Sequence, residues 1–201
     1  MIQIDTLTVG SYETNCYIVR AASSRTCVVI DPGYKPRAVW GQVQALGLEI
    51  QAILLTHGHF DHVGGVKALQ QEARCPVYLH PADLTLPESL TAGPLEPTNL
   101  LEDGQTLELA GLSLRVLSTP GHTPGSVCYI AEEALFSGDT LFCRSCGRTD
   151  LPGGSWPEME GSLIRLGALD YHGPVYPGHG PATQMDRERA YNPYLQEAMG
   201  L

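Results

Sequence analysis

Three imidazoles and a carboxylate lie within six residues, His57-Gly58-His59-Phe60-Asp61-His62, and all four are donors suited to a borderline divalent cation. With seven His and nine Asp in 201 residues, an HxHxDH run arises by chance in about four of ten thousand such chains, so the pattern is specific. Side chains two apart in an extended loop point the same way, so His57 and His59 can reach one cation. Asp61 and His62, turned by the start of the next helix, can face a second. The competing reading makes Asp61 a helix cap and the histidines loop decoration. Three later segments weigh against it: Pro120-Gly121-His122, Ser137-Gly138-Asp139 and Pro177-Gly178-His179. Each sets a ligand-type side chain just after a strand-like run, beside a glycine that lets the backbone approach a crowded site.

The elements that must position these residues follow from periodicity. Residues 2–31 alternate in short runs broken at Gly10-Ser11 and at 21–25, which predicts three antiparallel strands, the last ending in the turn Asp31-Pro32-Gly33. Val39, Trp40, Val43 and Leu46 recur at helical spacing within 35–46, and Gly47 is the stop. A buried strand over 50–56 and a helix over 63–73 leave 57–62 as a loop at a strand's C-terminal end. A strand at 77–80 precedes residues 81–103, a short helix and loop covering one edge. Strands are predicted again at 106–109, 112–118, 126–131 and 134–138, then a helix at 156–169 and a final strand at 175–177. Two strand-rich halves, each followed by helices, predict two packed sheets with helices outside.

The bulk composition, 43 % hydrophobic and 17 % charged, fits a single globular domain over 1–201. A net charge of −10 argues against nucleic acid or an anionic membrane as partner. The start lacks a basic-then-apolar leader, and no apolar run approaches ~20 residues, so a soluble cytoplasmic protein with a small-molecule substrate is expected. The six cysteines are scattered through strand-like segments as expected for buried thiols, and Cys143-Arg144-Ser145-Cys146 has no second CxxC to pair with. His80 and His172 stand outside the motif segments and are not nominated as ligands.

In these segments the chain resembles the metallo-β-lactamase superfamily, and within it the short glyoxalase II-like (hydroxyacylglutathione hydrolase-like) hydrolases. The resemblance runs through 15–17, Ile30-Asp31-Pro32-Gly33, 56–65, 119–125, 137–142, 147–154 and 177–183. It implies an α/β (α+β) fold, a four-layer αββα sandwich of two mixed β-sheets with helices on the outer faces. It also implies one metal on His57, His59 and His122, another on Asp61, His62 and His179, and Asp139 bridging them. Two divalent ions are implied, zinc first, with iron or manganese compatible. The implied reaction is hydrolysis of thioesters of the S-lactoylglutathione type by a metal-bridging hydroxide that Asp61 orients, and a thiolate leaves without a protein acid.

Arg148 and Asp150 resemble a segment shared with persulfide dioxygenases. They read as a buried ion pair fixing the loop, in preference to a direct substrate contact. Full-length glyoxalase II proteins add a C-terminal helical domain whose basic residues grip glutathione. The chain stops at Leu201 without one, so glutathione recognition is expected to be weak or altered. The rival readings are a mononuclear iron persulfide dioxygenase-like enzyme and a metal-holding module without turnover. β-Lactam hydrolysis ranks below thioester hydrolysis.

Overall fold

Residues 16–19, 27–30 and 52–55 are apolar at every position, as strands covered on both faces require. The computed structural model describes residues 1–131 and 133–201 and covers them in that way. Its first half contains β1 (Ile2–Val9), β2 (Thr14–Ala21), β3 (Thr26–Ile30), α1 (Pro36–Ala45), β4 (Glu49–Leu54), α2 (Phe60–Val63) and α3 (Val66–Ala73). β5 (Val77–Leu79), a 3-10 turn (Pro81–Thr85), α4 (Glu88–Thr91) and β6 (Asn99–Leu100) follow. The six strands form one sheet in chain order, antiparallel from β1 to β3 and parallel from β3 to β6.

The second half contains β7 (Thr106–Leu109), β8 (Leu112–Ser118), β9 (Val127–Ala131) and β10 (Ala134–Gly138), then the small hairpin β11 (Leu141–Phe142) and β12 (Ser145–Cys146). α5 (Trp156–Gly167), β13 (Pro174–Pro177), β14 (Thr183–Gln184), α6 (Met185–Tyr191) and α7 (Pro193–Met199) complete it. Its main sheet runs in the order β14-β13-β10-β9-β8-β7. Between the sheets, Tyr17, Val19, Val28, Ile30, Ala52 and Leu54 meet Leu114, Val116, Tyr129 and Phe136. Their sequence neighbours face outward: Ile18, Val29 and Ile53 pack under Val39, Val43 and Leu69 of α1 and α3. Likewise Leu117, Cys128 and Leu135 pack under Met159, Leu163 and Leu166 of α5. The fold is the expected four-layer αββα sandwich of two mixed sheets.

Strand direction explains where the chemistry lies. β8 and β10 both pair antiparallel with β9, and β13 runs parallel to β10, so the loops leaving β8, β10 and β13 emerge at one edge of the sandwich. In the other sheet the loops leaving β3 and β4 share an edge with the start of β2. The two edges are joined, because Asn15 N donates to Gly178 O at 2.7 Å and Tyr17 Oη to Pro177 O at 2.6 Å.

Three local expectations need correction. The helix expected over 63–73 is two helices, α2 and α3, so Asp61 and His62 are helical rather than part of a loop. The break falls at Gly64-Gly65, where a Cβ on Gly65 would stand 2.3 Å from the Gly33 carbonyl oxygen. The strand at 175–177 is not the last element, since β14, α6 and α7 follow it. Residues 81–103 contribute an edge strand, β6, as well as the helix and loop. No helix among the described residues is long and apolar enough to cross a membrane.

Candidate metal centre

All seven nominated residues meet at the shared edge. His57 and His59 follow β4, Asp61 and His62 sit on α2, and His122, Asp139 and His179 follow β8, β10 and β13. Asp61 does not cap α2; the cap position is His59, and Asp61 Oδ2 accepts from Thr14 Oγ1 at 3.0 Å. Three overlapping groups bring ligand atoms within 4.8 Å of one another: His57, His59 and His122; His57, His62 and Asp139; Asp61, His62 and His179. Gly178 is needed for this crowding, since a Cβ there would lie 2.1 Å from Asp139 Oδ1.

Which ring nitrogens face inward follows from what the outer ones touch. His122 Nδ1 lies 2.7 Å from Arg148 O and His179 Nδ1 lies 3.0 Å from Tyr12 O. A carbonyl only accepts, so both Nδ1 atoms carry the proton and both neutral rings leave Nε2 bare. His62 Nδ1 meets Asp31 Oδ2 at 2.9 Å, with the same result. Thr56 Oγ1 donates its one proton to Asp31 Oδ2 at 2.6 Å, so at 3.1 Å from His57 Nδ1 it accepts from that ring as well. In their neutral forms these four rings therefore aim their Nε2 lone pairs into the cluster. His59 enters by its other edge, with Nδ1 2.8 Å from His122 Nε2.

His57 Nε2, His59 Nε2 and Asp139 Oδ1 are buried without a hydrogen-bond partner among the described residues. Buried polar atoms left in that state are costly, and a cation among them removes the cost for the inward-facing ones. The donor set fits a pair of divalent ions.

The charges respond to one another. Burial, then the neighbouring rings His62 and His122, hold His57 well below the ordinary histidine range, and burial with His122 lowers His59 to about 4. Burial opposes charge on His62, yet Asp139, then Asp31 and Asp61, carry it up to about 9. Burial opposes charge on His179 too, but its contact with Asp61 and the charge of Asp139 together raise it. Burial would raise Asp61, but His179, His62 and Thr14 bring it well below the carboxylate range. The Nε2 atoms of His62 and His179 are 3.2 Å apart, the separation of a shared proton.

A sequence profile described as the metallo-beta-lactamase superfamily matches residues 9–179. The chain belongs to that superfamily. A Bacillus subtilis protein described as a probable metallo-hydrolase, YqgX, is 37 % identical, covering 93 % of this chain and 94 % of its own. The crystal structure of TTHA1623 in a di-iron-bound form is 40 % identical with a TM-score of 0.85, covering 94 % and 99 % of the two chains. That of BLEG-1, a B3 metallo-beta-lactamase, is 34 % identical with a TM-score of 0.89, covering 96 % and 99 %.

In this superfamily member one expectation fails. Arg148 and Asp150 do pair, through two hydrogen bonds of 2.6 Å, but the side chains are 62 % and 66 % exposed. The pair stands in solvent, with Arg148 at the edge of the cavity. What holds the loop is the Arg148 carbonyl on His122. His80 caps the 3-10 turn and His172 pairs with Asp186 on the surface, so neither joins the cluster.

Two residues with no nomination from sequence organise the site. Asp31 bonds Thr56 N, Thr56 Oγ1 and His62. Asp83, fully buried in the 3-10 turn, accepts from Gly58 N at 2.7 Å, Thr123 Oγ1 at 2.9 Å and Gly125 N at 2.6 Å, so it ties the His57–His59 loop to the His122 loop. The Asp31-Pro32-Gly33 turn was the available signal for the first. For Asp83 the Pro- and Leu-rich surroundings give none.

Proposed function

We propose that this protein is a binuclear metal-dependent hydrolase acting on thioesters of the S-lactoylglutathione type. One observation supports it most: five imidazoles and two carboxylates converge at a single edge, four of the rings held by outer-nitrogen contacts that leave bare lone pairs inside. His57, His59 and His122 would hold one cation and Asp61, His62 and His179 the other. Asp139 faces both, with oxygens 3.4 Å from His62 Nε2 and 3.5 Å from each of His122 and His179 Nε2. A bound divalent pair, zinc in this proposal, brings the pKa of water toward neutrality and polarises a carbonyl oxygen. Asp61, acceptor-only and fixed by Thr14, orients a water's proton at the cluster. Beyond the ligands the described cavity lining offers no histidine, glutamate or lysine, although Tyr12 and Cys146 carry protons there; a thiolate leaving group needs no protein acid.

Elemental analysis of the purified protein, run beside thiol release from S-lactoylglutathione and oxygen uptake with glutathione persulfide, tests this. Two metals per chain with thioester turnover is the expected result. One iron with oxygen uptake, or metal without turnover of any thioester, overturns it. The identity to BLEG-1 favours a second reading, β-lactam hydrolysis; nitrocefin turnover exceeding that of every thioester would establish it instead.

Two smaller predictions follow from the outer contacts. In Asp31→Asn an amide N–H can replace the acceptor facing His62 Nδ1, which moves that ring's proton to Nε2 and into the cluster. Metal affinity should fall about 10- to 100-fold, read by competition with a chromogenic chelator; an unchanged affinity would show that Asp31 does not set the ring. The raised pKa of His62, about 9, means that the metal-free cluster holds its proton at neutral pH and loses it as pH rises through that value. Cation binding must expel the proton, so adding metal near pH 7.5 should release about one proton and apparent affinity should drop ~10-fold per pH unit of acidification. Release measured with an indicator dye in weak buffer checks the sign.

A further inference from the structure

The cavity above the donor cluster holds about 510 Å³, and beyond the ligands its described lining is mostly apolar, with Ser145, Cys146 and Arg148 the polar members. Tyr12 and Phe60 meet edge to face with centroids 5.1 Å apart, and Leu90, Phe142 and Leu151 continue the wall. None of these five belongs to the buried core. Half-exposed apolar side chains around a polar cluster are surface that a ligand can remove from water. The Phe142 wall is preset: Asn192 Nδ2 donates to Phe142 O at 3.2 Å and Ser145 O at 3.0 Å, while buried Glu188 accepts from Arg144 N at 2.7 Å. Arg148 is the one cation among the described lining residues, and Asp150 already takes its guanidinium in a two-bond pair. A glutathione moiety brings two carboxylates and an ammonium, and the mouth offers them a pair whose charges cancel.

We propose that this cavity is an acyl-binding pocket selecting apolar, uncharged acyl groups, with no recognition of glutathione as the thiol portion. The inference rests on the thioester reading and narrows it to apolar acyl groups, which makes S-lactoylglutathione a turned-over but poor member of the class. Calorimetry with non-hydrolysable thioethers tests the pocket without turnover. From S-ethyl- through S-butyl- to S-hexyl-N-acetylcysteamine, Kd should tighten about two- to fourfold per methylene, and S-hexylglutathione should bind no more than about threefold better than its N-acetylcysteamine counterpart. Among thioesters, hexanoyl-N-acetylcysteamine should exceed S-lactoylglutathione in kcat/KM by about tenfold or more. Phe142→Ala on the β11–β12 hairpin and Leu90→Ala on α4 should each flatten the ladder, and two separate elements guard against a folding defect in one. A flat ladder in the parent protein, or glutathione compounds bound more than about tenfold more tightly, overturns the proposal. A steep binding ladder with no thioester hydrolysed supports the pocket and defeats the thioester reading, so the two failures are distinct.

Discussion

Asp139→Asn is expected to lower kcat/KM about 10³-fold while leaving the metal-free protein folded. The carboxylate is 8 % exposed, and its Oδ1 has no hydrogen-bond partner among the described residues. Its oxygens stand within 3.5 Å of imidazole nitrogens from both proposed metal positions. An amide keeps the shape but removes the charge and one acceptor, so it cannot bridge two cations. In the metal-free protein Asp139 is the first of the carboxylates that hold the proton on His62, so the amide should also let that ring lose its proton at lower pH. Loss of activity and of metal with the fold retained separates the proposed role from general damage. Elemental analysis should fall from two metals per chain toward one or none, and melting should be compared after chelation. Full activity with two metals retained would show that Asp139 does not link the positions.

The second large effect is on stability. Chelation should lower Tm by about 10 °C. Ions that bind the folded chain and not the unfolded one stabilise it by RT ln(1 + [L]/Kd), about 4 kcal/mol at a thousandfold excess over Kd. For a chain of this size each kcal/mol is worth roughly 2–4 °C. The donors are assembled from segments as distant as Asp61 and His179, so the unfolded chain offers no comparable site. Melts of the protein before and after chelator, and after zinc is restored, check this. An unchanged Tm would mean that the cluster does not hold ions tightly. The Asp139→Asn protein should show a smaller shift than the parent, since one ligand to each position has lost its charge.

The HxHxDH run and the three glycine-flanked corners were legible in the amino-acid order because donor type and strand-loop boundaries are local properties. Short alternating or wholly apolar runs bounded by turn residues placed β1 to β3 and β7 to β10 to within a residue or two. Helices α6 and α7 were not legible. Each has seven residues, too short for a clear 3.6-residue pattern, and Met185 and Leu195 join a core that exists only once α5 is in place.

The polypeptide order by itself determined which donors the molecule owns and that they fall at the ends of strands. Only tertiary packing decided which nitrogen of each ring faces inward, because the atoms responsible, Asp31 for His62 and Tyr12 O for His179, lie 31 and 167 residues away. It also decided that Arg148 and Asp150 stand in water, since burial depends on what covers a pair and not on the pair. Hydrogen-bond direction and solvent access are properties of neighbours in space, and the chain acquires those neighbours only by folding.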